Sequence, residues 1–462
     1  MQLASHFIAR VWKSAVGWSF AVTALRAGGF LLVLPLALRR LSPDELGLWY
    51  VFTSIGDFCA FAELGLALIL GRSASFFMAG VERLPIHGLA LSPPSGEMRA
   101  PNLAGLAGLL RLARHVYLRI VAGILVFMLT IGLAIVLFKL RALPGPQASH
   151  WLTYGVFVVA TVLSIAGSYW PQFLVGISQV RLGQRALLTG LALNYAVAAS
   201  CLLLGFGILS LAVGQVVLAL VNFTYARWHA LASCPGIRTI AAIEIRFGDV
   251  WPATWRSLLT SFGANMCCQS TLFVCGIISD LATTASFGLS LRLALVAQGF
   301  AGAWLVVRQP YIARARAGGD LPLAIQLVKG SVGRCFVTYA LGATGIFLVA
   351  PWLLEWMKSR TPALPTALLA GLLVMVGLDF LVGFHSAVIQ TANRFPHLKI
   401  YLLSGVGTVA LAFALGYEFA VAGIIAAPIV AQVWCAYWWI PRRAWFELLH
   451  APESQTYDPI HA

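Results

Sequence analysis

Six ionisable side chains stand inside long apolar runs of this sequence: Arg26, Asp57, Glu63, Arg292, Asp379 and His385. If those runs lie in hydrocarbon, each charge costs about 2.5–3.5 kcal/mol near the bilayer centre and needs an ionic partner, water or a ligand. Arg26 falls mid-run, with Gly28-Gly29 and Pro35 after it, a pattern that lets a helix bend and a neighbour or substrate approach its backbone. A guanidinium is shaped for phosphate or carboxylate, so Arg26 either faces a wet cavity and binds an anion or forms a structural ion pair with Asp57 or Glu63. Arg292 is a similar case, near Asn265 and Gln269, which lie one helical turn apart on one face. Those amides either wall the same cavity or make interhelical hydrogen bonds, worth about 0.6 kcal/mol each. Asp57 and Glu63 are coupling or ion-pair candidates that point about 120° apart on a helix and so do not share one site. Asp379 and His385 repeat that spacing; the histidine either titrates near neutral pH in a proton-coupled step or bonds a backbone carbonyl.

The elements that must hold these residues are transmembrane helices. The chain has 462 residues, 60% hydrophobic and only 10% charged, with a mean hydropathy of +0.87. Soluble domains carry about 25% charged residues. Runs long enough to span occur near 16–38, 46–70, 118–138, 152–176, 186–206, 208–229, 257–279, 285–307, 334–354, 366–390, 399–417 and 419–440. The divisions at Gly205–Ser210 and Gly416–Glu418 are each a tight hairpin or part of one long buried helix. The fold expected is an all-α integral membrane protein, with about twelve transmembrane helices in two pseudo-symmetric six-helix bundles. An N-terminal lobe covers 1–229, a cytoplasmic linker 230–256, a C-terminal lobe 257–440 and a tail 441–462. The hairpin from Leu41-Ser42-Pro43-Asp44 to Tyr50 resembles that from Ile278-Ser279-Asp280 to Phe287, as a doubled chain requires.

Charge sets the orientation. Of the 31 Lys and Arg, 23 fall in segments on the side of the N-terminus and six in the opposite loops, so both termini are expected inside. Trp49, Tyr50, Trp151, Trp352 and Trp356 are expected at the outer interface, and Trp18, Trp228, Trp251 and Trp438 among others at the inner one. The longest inner loop carries a turn-rich tip at Ser92–Gly96, and Leu103–Leu118 has the spacing of a helix lying on the membrane surface.

Several function classes are excluded. The net charge of +15 comes from basic residues scattered between apolar runs, not from a patch, so nucleic acid is not expected as a partner. The eight cysteines show no metal-ligand spacing, and all but Cys234 fall in or beside apolar runs, as buried free thiols do. No Gly-rich run ends in Gly-Lys-Ser/Thr, so the chain lacks its own ATPase; a proton or sodium gradient, product consumption or a partner must drive it. The outer loops are short and hold no Asp-x-Asp, which argues against a membrane glycosyltransferase or polymerase.

Three segments carry a family resemblance. Leu41-Ser42-Pro43-Asp44-Glu45-Leu46-Gly47-Leu48-Trp49 resembles the first outer loop of bacterial polysaccharide exporters and O-antigen flippases. Ala62-Glu63-Leu64-Gly65-Leu66 followed by Gly71-Arg72 resembles that family's Asp-Leu-Gly-Leu segment, with Glu63 where Asp is usual. Arg308-Gln309-Pro310 with Ala317-Gly318-Gly319-Asp320 resembles its inner loop after span eight. The family belongs to the multidrug/oligosaccharidyl-lipid/polysaccharide superfamily. The resemblance implies alternating access between two bundles around a cationic cavity, in the bacterial inner membrane. Its implied substrate is an undecaprenyl-diphosphate-linked oligosaccharide, with membrane lipids, a polysaccharide polymerase and chain-length machinery as partners. No enzymatic activity, metal or cofactor beyond a coupling ion is expected. The alternative is an ion-coupled multidrug exporter of the same superfamily, which needs acids to dominate the cavity when its substrates are cationic.

Overall fold

The computed structural model describes residues 15–60, 63, 66–78, 80, 100–141, 148–317, 320–356, 359–391 and 395–449. The Ser92–Gly96 tip and the tail from 450 onward lie outside the described residues. All regular structure among the described residues is helical. In chain order the helices are α1 Ala15–Arg40, α2 Pro43–Ala60, α3 Leu66–Met78, α4 Leu103–Leu140, α5 Ala148–Gly176, α6 Val180–Leu203 and α7 Leu209–Ser233. The second half holds α8 Phe247–Cys268, α9 Ser270–Ile278, α10 Leu281–Ala317, α11 Leu321–Trp356, α12 Thr366–Gln390, α13 Leu398–Val433 and α14 Ala436–Leu449.

Eight helices are apolar and long enough to cross a membrane, or nine if α8 and α9, bent by 50° at their junction, form one span. The other expected spans are present as helices of different form. α1 carries Arg26, and the second span is broken between α2 and α3. α13, 36 residues long, is two spans joined without a loop, and the chain reverses at Ala420, where φ is 49° and ψ −133°. A Cβ on Gly423 would stand 2.0 Å from the Leu415 carbonyl oxygen, and one on Gly407 would stand 3.8 Å from Ala431. In a straight helix those pairs lie about 12 and 36 Å apart. The hairpin reading therefore holds here, and it holds at Gly205–Ser210, where Gly205 and Gly207 take positive φ between α6 and α7.

α1 packs on α6, and α7 on α5 and α6; α8 packs on α13, and α10 on α11 and α12. The expected linker is shorter than 230–256, because α7 runs on to Ser233 and α8 begins at Phe247. Between them Ile243 donates its backbone N–H to Ala104 at 3.1 Å. Leu103–Leu118 is not a surface helix. It continues into the third span, with Leu106, Leu109, Ala113 and Tyr117 buried. The expected tail is helical as far as Leu449 and is pinned by a buried ion pair. Arg316 reaches Glu447 at 3.5 Å, and Glu447 also accepts from Arg443 at 3.0 Å.

The two bundles pack against each other at one face, the one that the charge count of the sequence predicts to be outer, and it is called the outer face below. α2 crosses α9 and α10 there. Two glycines allow the crossing. A Cβ on Gly47 would come 2.0 Å from the Leu281 carbonyl oxygen, and one on Gly288 would come 2.6 Å from the Tyr50 ring. Both start-of-helix turns are capped. Ser42 and Glu45 exchange hydrogen bonds of 2.8 and 3.1 Å, a reciprocal capping box, and Asp280 accepts from Thr283 N–H at 3.0 Å. Burial pushes the Asp280 carboxyl up, but the Thr283 hydroxyl and backbone N–H groups outweigh it and hold it below the ordinary carboxylate range. Lys139 donates to the Ser279 carbonyl across the same face. Trp49 and Tyr50 are therefore not interface anchors; they are buried at this junction, 9% and 4% exposed, while Trp352 and Trp356 stay exposed as expected.

Since ordinary contact begins at about 3.4 Å, Gly47→Leu cannot fit the closed outer face. Spin labels on the outer ends of α2 and α10 should move apart by several ångströms in that variant. An unchanged label distance would mean that this crossing does not govern closure.

Candidate functional site

A hollow of about 440 Å³ opens between α1, α2, α6, α7 and α10. Arg26 comes from α1, Asp57 from α2, Asn194 and Tyr195 from α6, Gln215 from α7 and Arg292 from α10. Thr23 and Thr53 add hydroxyls, and Leu34, Trp49, Leu191, Leu211, Leu295 and Phe300 supply much of the apolar wall. The site lies within the first bundle, with one wall from the second.

Arg292 and Asp57 pair across the bundles at 3.2 Å, with side chains 29% and 44% exposed to the hollow. Each therefore meets its main electrostatic need in the other. Arg26 makes no ion pair among the described residues, so the expected pairing with Asp57 or Glu63 is not formed. Its helix is held by Tyr195, whose hydroxyl donates to the Arg26 carbonyl at 3.0 Å. Gly29 makes room for that ring, since a Cβ there would stand 2.1 Å from it. The neighbour that the glycine pair admits is thus Tyr195. With two guanidinium groups and one carboxylate in its lining, the hollow carries a formal charge of +1.

The other candidates lie elsewhere. Asn265 and Gln269 do not line the hollow. Asn265 donates to Ser261 on its own helix at 2.9 Å, and the Gln269 carbonyl oxygen is buried without a hydrogen-bond partner among the described residues. Spacing of one turn on one helix did not bring them to Arg292, because the hollow is walled by α1, α2, α6, α7 and α10 and not by α8 or α9. Glu63 lies at the break between α2 and α3, inside the first bundle, and accepts from the Tyr117 hydroxyl at 2.9 Å and from Ser168. Asp379 is in the core of the second bundle, hydrogen-bonded to Gln298 and close to Cys267, Cys268, Tyr401 and Tyr437. His385 takes the bland alternative, with Nδ1 2.8 Å from the Leu381 carbonyl. Among the described residues no three His, Cys, Asp or Glu side chains are grouped to hold a metal ion.

Asn194, Tyr195 and Gln215 were not anticipated. They are polar residues in apolar runs, and neither a formal charge nor a regular spacing marks them.

No protein-family model matches the chain, and no curated protein matches it. Solved structures do. An inward-facing multidrug resistance MATE family transporter of the MOP superfamily superposes with a TM-score of 0.64 at 16% identity, over 93% of this chain and 96% of that one. The chain shares that fold. An outward-facing MATE transporter gives 0.57 at 14% identity, over 95% and 98%. A MOP superfamily transporter from Pyrococcus furiosus, described as having a binding pocket of reverse polarity, gives 0.56 at 13%, over 96% and 98%. These neighbours support the superfamily fold expected from the sequence; they do not support its polysaccharide-exporting branch.

Removing the carboxylate that occupies Arg292 should strengthen anion binding. Asp57→Asn is expected to tighten binding of an amphipathic anion about tenfold, equivalent to about 1.4 kcal/mol, in a titration of the purified protein. Weaker binding in Asp57→Asn would show that Asp57 itself contacts the ligand or that the pair holds the site open.

Proposed function

We propose that this chain is an alternating-access exporter of amphipathic, drug-sized anions. The observation that carries the reading is Arg26, a guanidinium without an acid partner among the described residues, facing a mostly apolar hollow. An unpaired charge at that depth is retained only if water or a ligand repays its desolvation. Ligand pockets of about 300–1,000 Å³ take drug-sized molecules, and a hollow of about 440 Å³ fits one such molecule. Its leucines and aromatic rings suit a hydrocarbon or aromatic body, and Arg26 suits the anionic head.

Alternating access is supported by the glycine-mediated outer closure and by neighbours solved in inward- and outward-facing states. The pair Arg292–Asp57 spans the two bundles and must break or shear when the outer face opens. A coupling proton or sodium ion is assigned to Asp379, which, like Glu63, has no cation paired to it among the described residues but lies in the core of the second bundle beside Gln298; His385, bonded to a carbonyl, is the weaker candidate.

The second reading is the flippase for an undecaprenyl-diphosphate-linked oligosaccharide. Two arginines in the hollow and the order of the three motif segments favour it. The apolar wall and modest volume argue against it, because a chain of sugars needs a larger and more polar surface.

Transport by reconstituted vesicles tests both readings. Uptake of a fluorescent amphipathic anion should fall at least about tenfold in Arg26→Ala and recover partly in Arg26→Lys, and it should slow when the ion gradient is collapsed. Full uptake by the alanine variant would refute the role given to Arg26. Flipping of the lipid-linked oligosaccharide by the same vesicles, without uptake of the anion, would replace the first reading with the second.

A further inference from the structure

A second basic hollow lies at the inner end of the first bundle, away from Arg26 and Arg292. It encloses about 910 Å³ between the start of α4, the part of α5 around the break in its helix at Ser168, the end of α7 and the connection that follows. Arg111 and Arg114 line it from α4, Arg227 from α7 and Arg238 from the connection, and no acid among the described residues lines it. All four arginines are exposed, and none forms an ion pair among the described residues. Arg114 and Arg227 come from different helices and both act electrostatically on the Tyr169 hydroxyl in the back wall. The nearest acid on that wall is Glu63, hidden behind Tyr117 and bonded to its hydroxyl at 2.9 Å.

Four like charges converging from three elements repel one another, and no contact within the first bundle among the described residues compensates them. The arrangement is stable when an anion with several oxygens sits between them, because guanidinium groups bind phosphate through paired hydrogen bonds. The position selects the source of that phosphate. The hollow faces the inner interface, where Trp228 is 66% exposed and Leu118, part of its rim, is 60% exposed. Apolar residues at the mouth, Leu118, Leu231 and Ile237, give an acyl chain a path back into the bilayer. A neighbouring hollow of about 610 Å³ shares Arg227 and Arg238, so the headgroup has room on both sides of that pair.

We propose that this hollow is a binding site for an anionic phospholipid, with the headgroup phosphate held by Arg114, Arg227 and Arg238 and the chain leaving past Leu118. The site is separate from the transport cavity and does not depend on which substrate that cavity carries.

The test is lipid retention by the purified full-length protein, measured by native mass spectrometry after exposure to phosphatidylglycerol, phosphatidylcholine or inorganic pyrophosphate. Phosphatidylglycerol should be retained at least about tenfold over phosphatidylcholine, and each of Arg114→Gln, Arg227→Gln and Arg238→Gln should weaken retention about fivefold. The corresponding Lys variants should keep most of it, which separates loss of charge from loss of fold. The same preference should persist in an Arg26→Ala background, which assigns it to this hollow and not to the central one. Equal retention of both lipids, or retention untouched by all three Gln variants, overturns the proposal. Binding of pyrophosphate with no lipid preference overturns the lipid assignment.

Discussion

The Arg292–Asp57 contact is the constraint on which the rest of the site depends. It joins the two bundles, and its 3.2 Å separation holds the second and eighth spans side by side. It also decides which guanidinium in the hollow is left without an acid. An acid committed to Arg292 is not available to Arg26, so the cavity presents a guanidinium to whatever enters. Had Asp57 been within reach of Arg26 instead, the hollow would keep the same formal charge, but Arg292 and not Arg26 would be the guanidinium left for a ligand.

Closure at the outer face follows from small residues as much as from charge. Gly47 and Gly288 stand on the two hairpins that resemble each other in sequence, and each meets the opposite hairpin: Gly47 meets Leu281, and Gly288 meets Tyr50. The resemblance between those hairpins therefore has a physical reading as a near-symmetric clasp. The motif Leu46-Gly47-Leu48-Trp49 places a glycine where backbone must pass backbone, and flanks it with apolar side chains buried by the same crossing. The inner four-arginine hollow is built differently, from helix ends and a connection, and it takes no part in this clasp.

Much of the fold was legible because hydrocarbon enforces simple rules. Spans are long and apolar, their charges are few, and hairpins need Gly or a reversal such as that at Ala420. What stayed hidden was direction. Arg26 and Arg292 could be picked out as costly charges, but which acid each met depended on how two bundles cross, and that depends on Gly47 and Gly288 rather than on either arginine. Asn265 and Gln269 failed for the same reason: spacing put them on one face of a helix and said nothing about which helices wall the hollow. Trp49 and Tyr50 obeyed the aromatic-belt rule in sequence position and broke it in space, since a bundle junction at the outer interface buries what lipid would otherwise expose. The cavity polar residues Asn194, Tyr195 and Gln215 carried no charge to mark them.

The central claim is the sign of the cavity, and equilibrium binding of two amphiphiles that differ only in headgroup charge tests it most directly. The account predicts that the purified protein binds the anionic member at least about tenfold more tightly, equivalent to about 1.4 kcal/mol, and that Arg26→Ala abolishes the difference. Equal binding, or tighter binding of the cation, would contradict it.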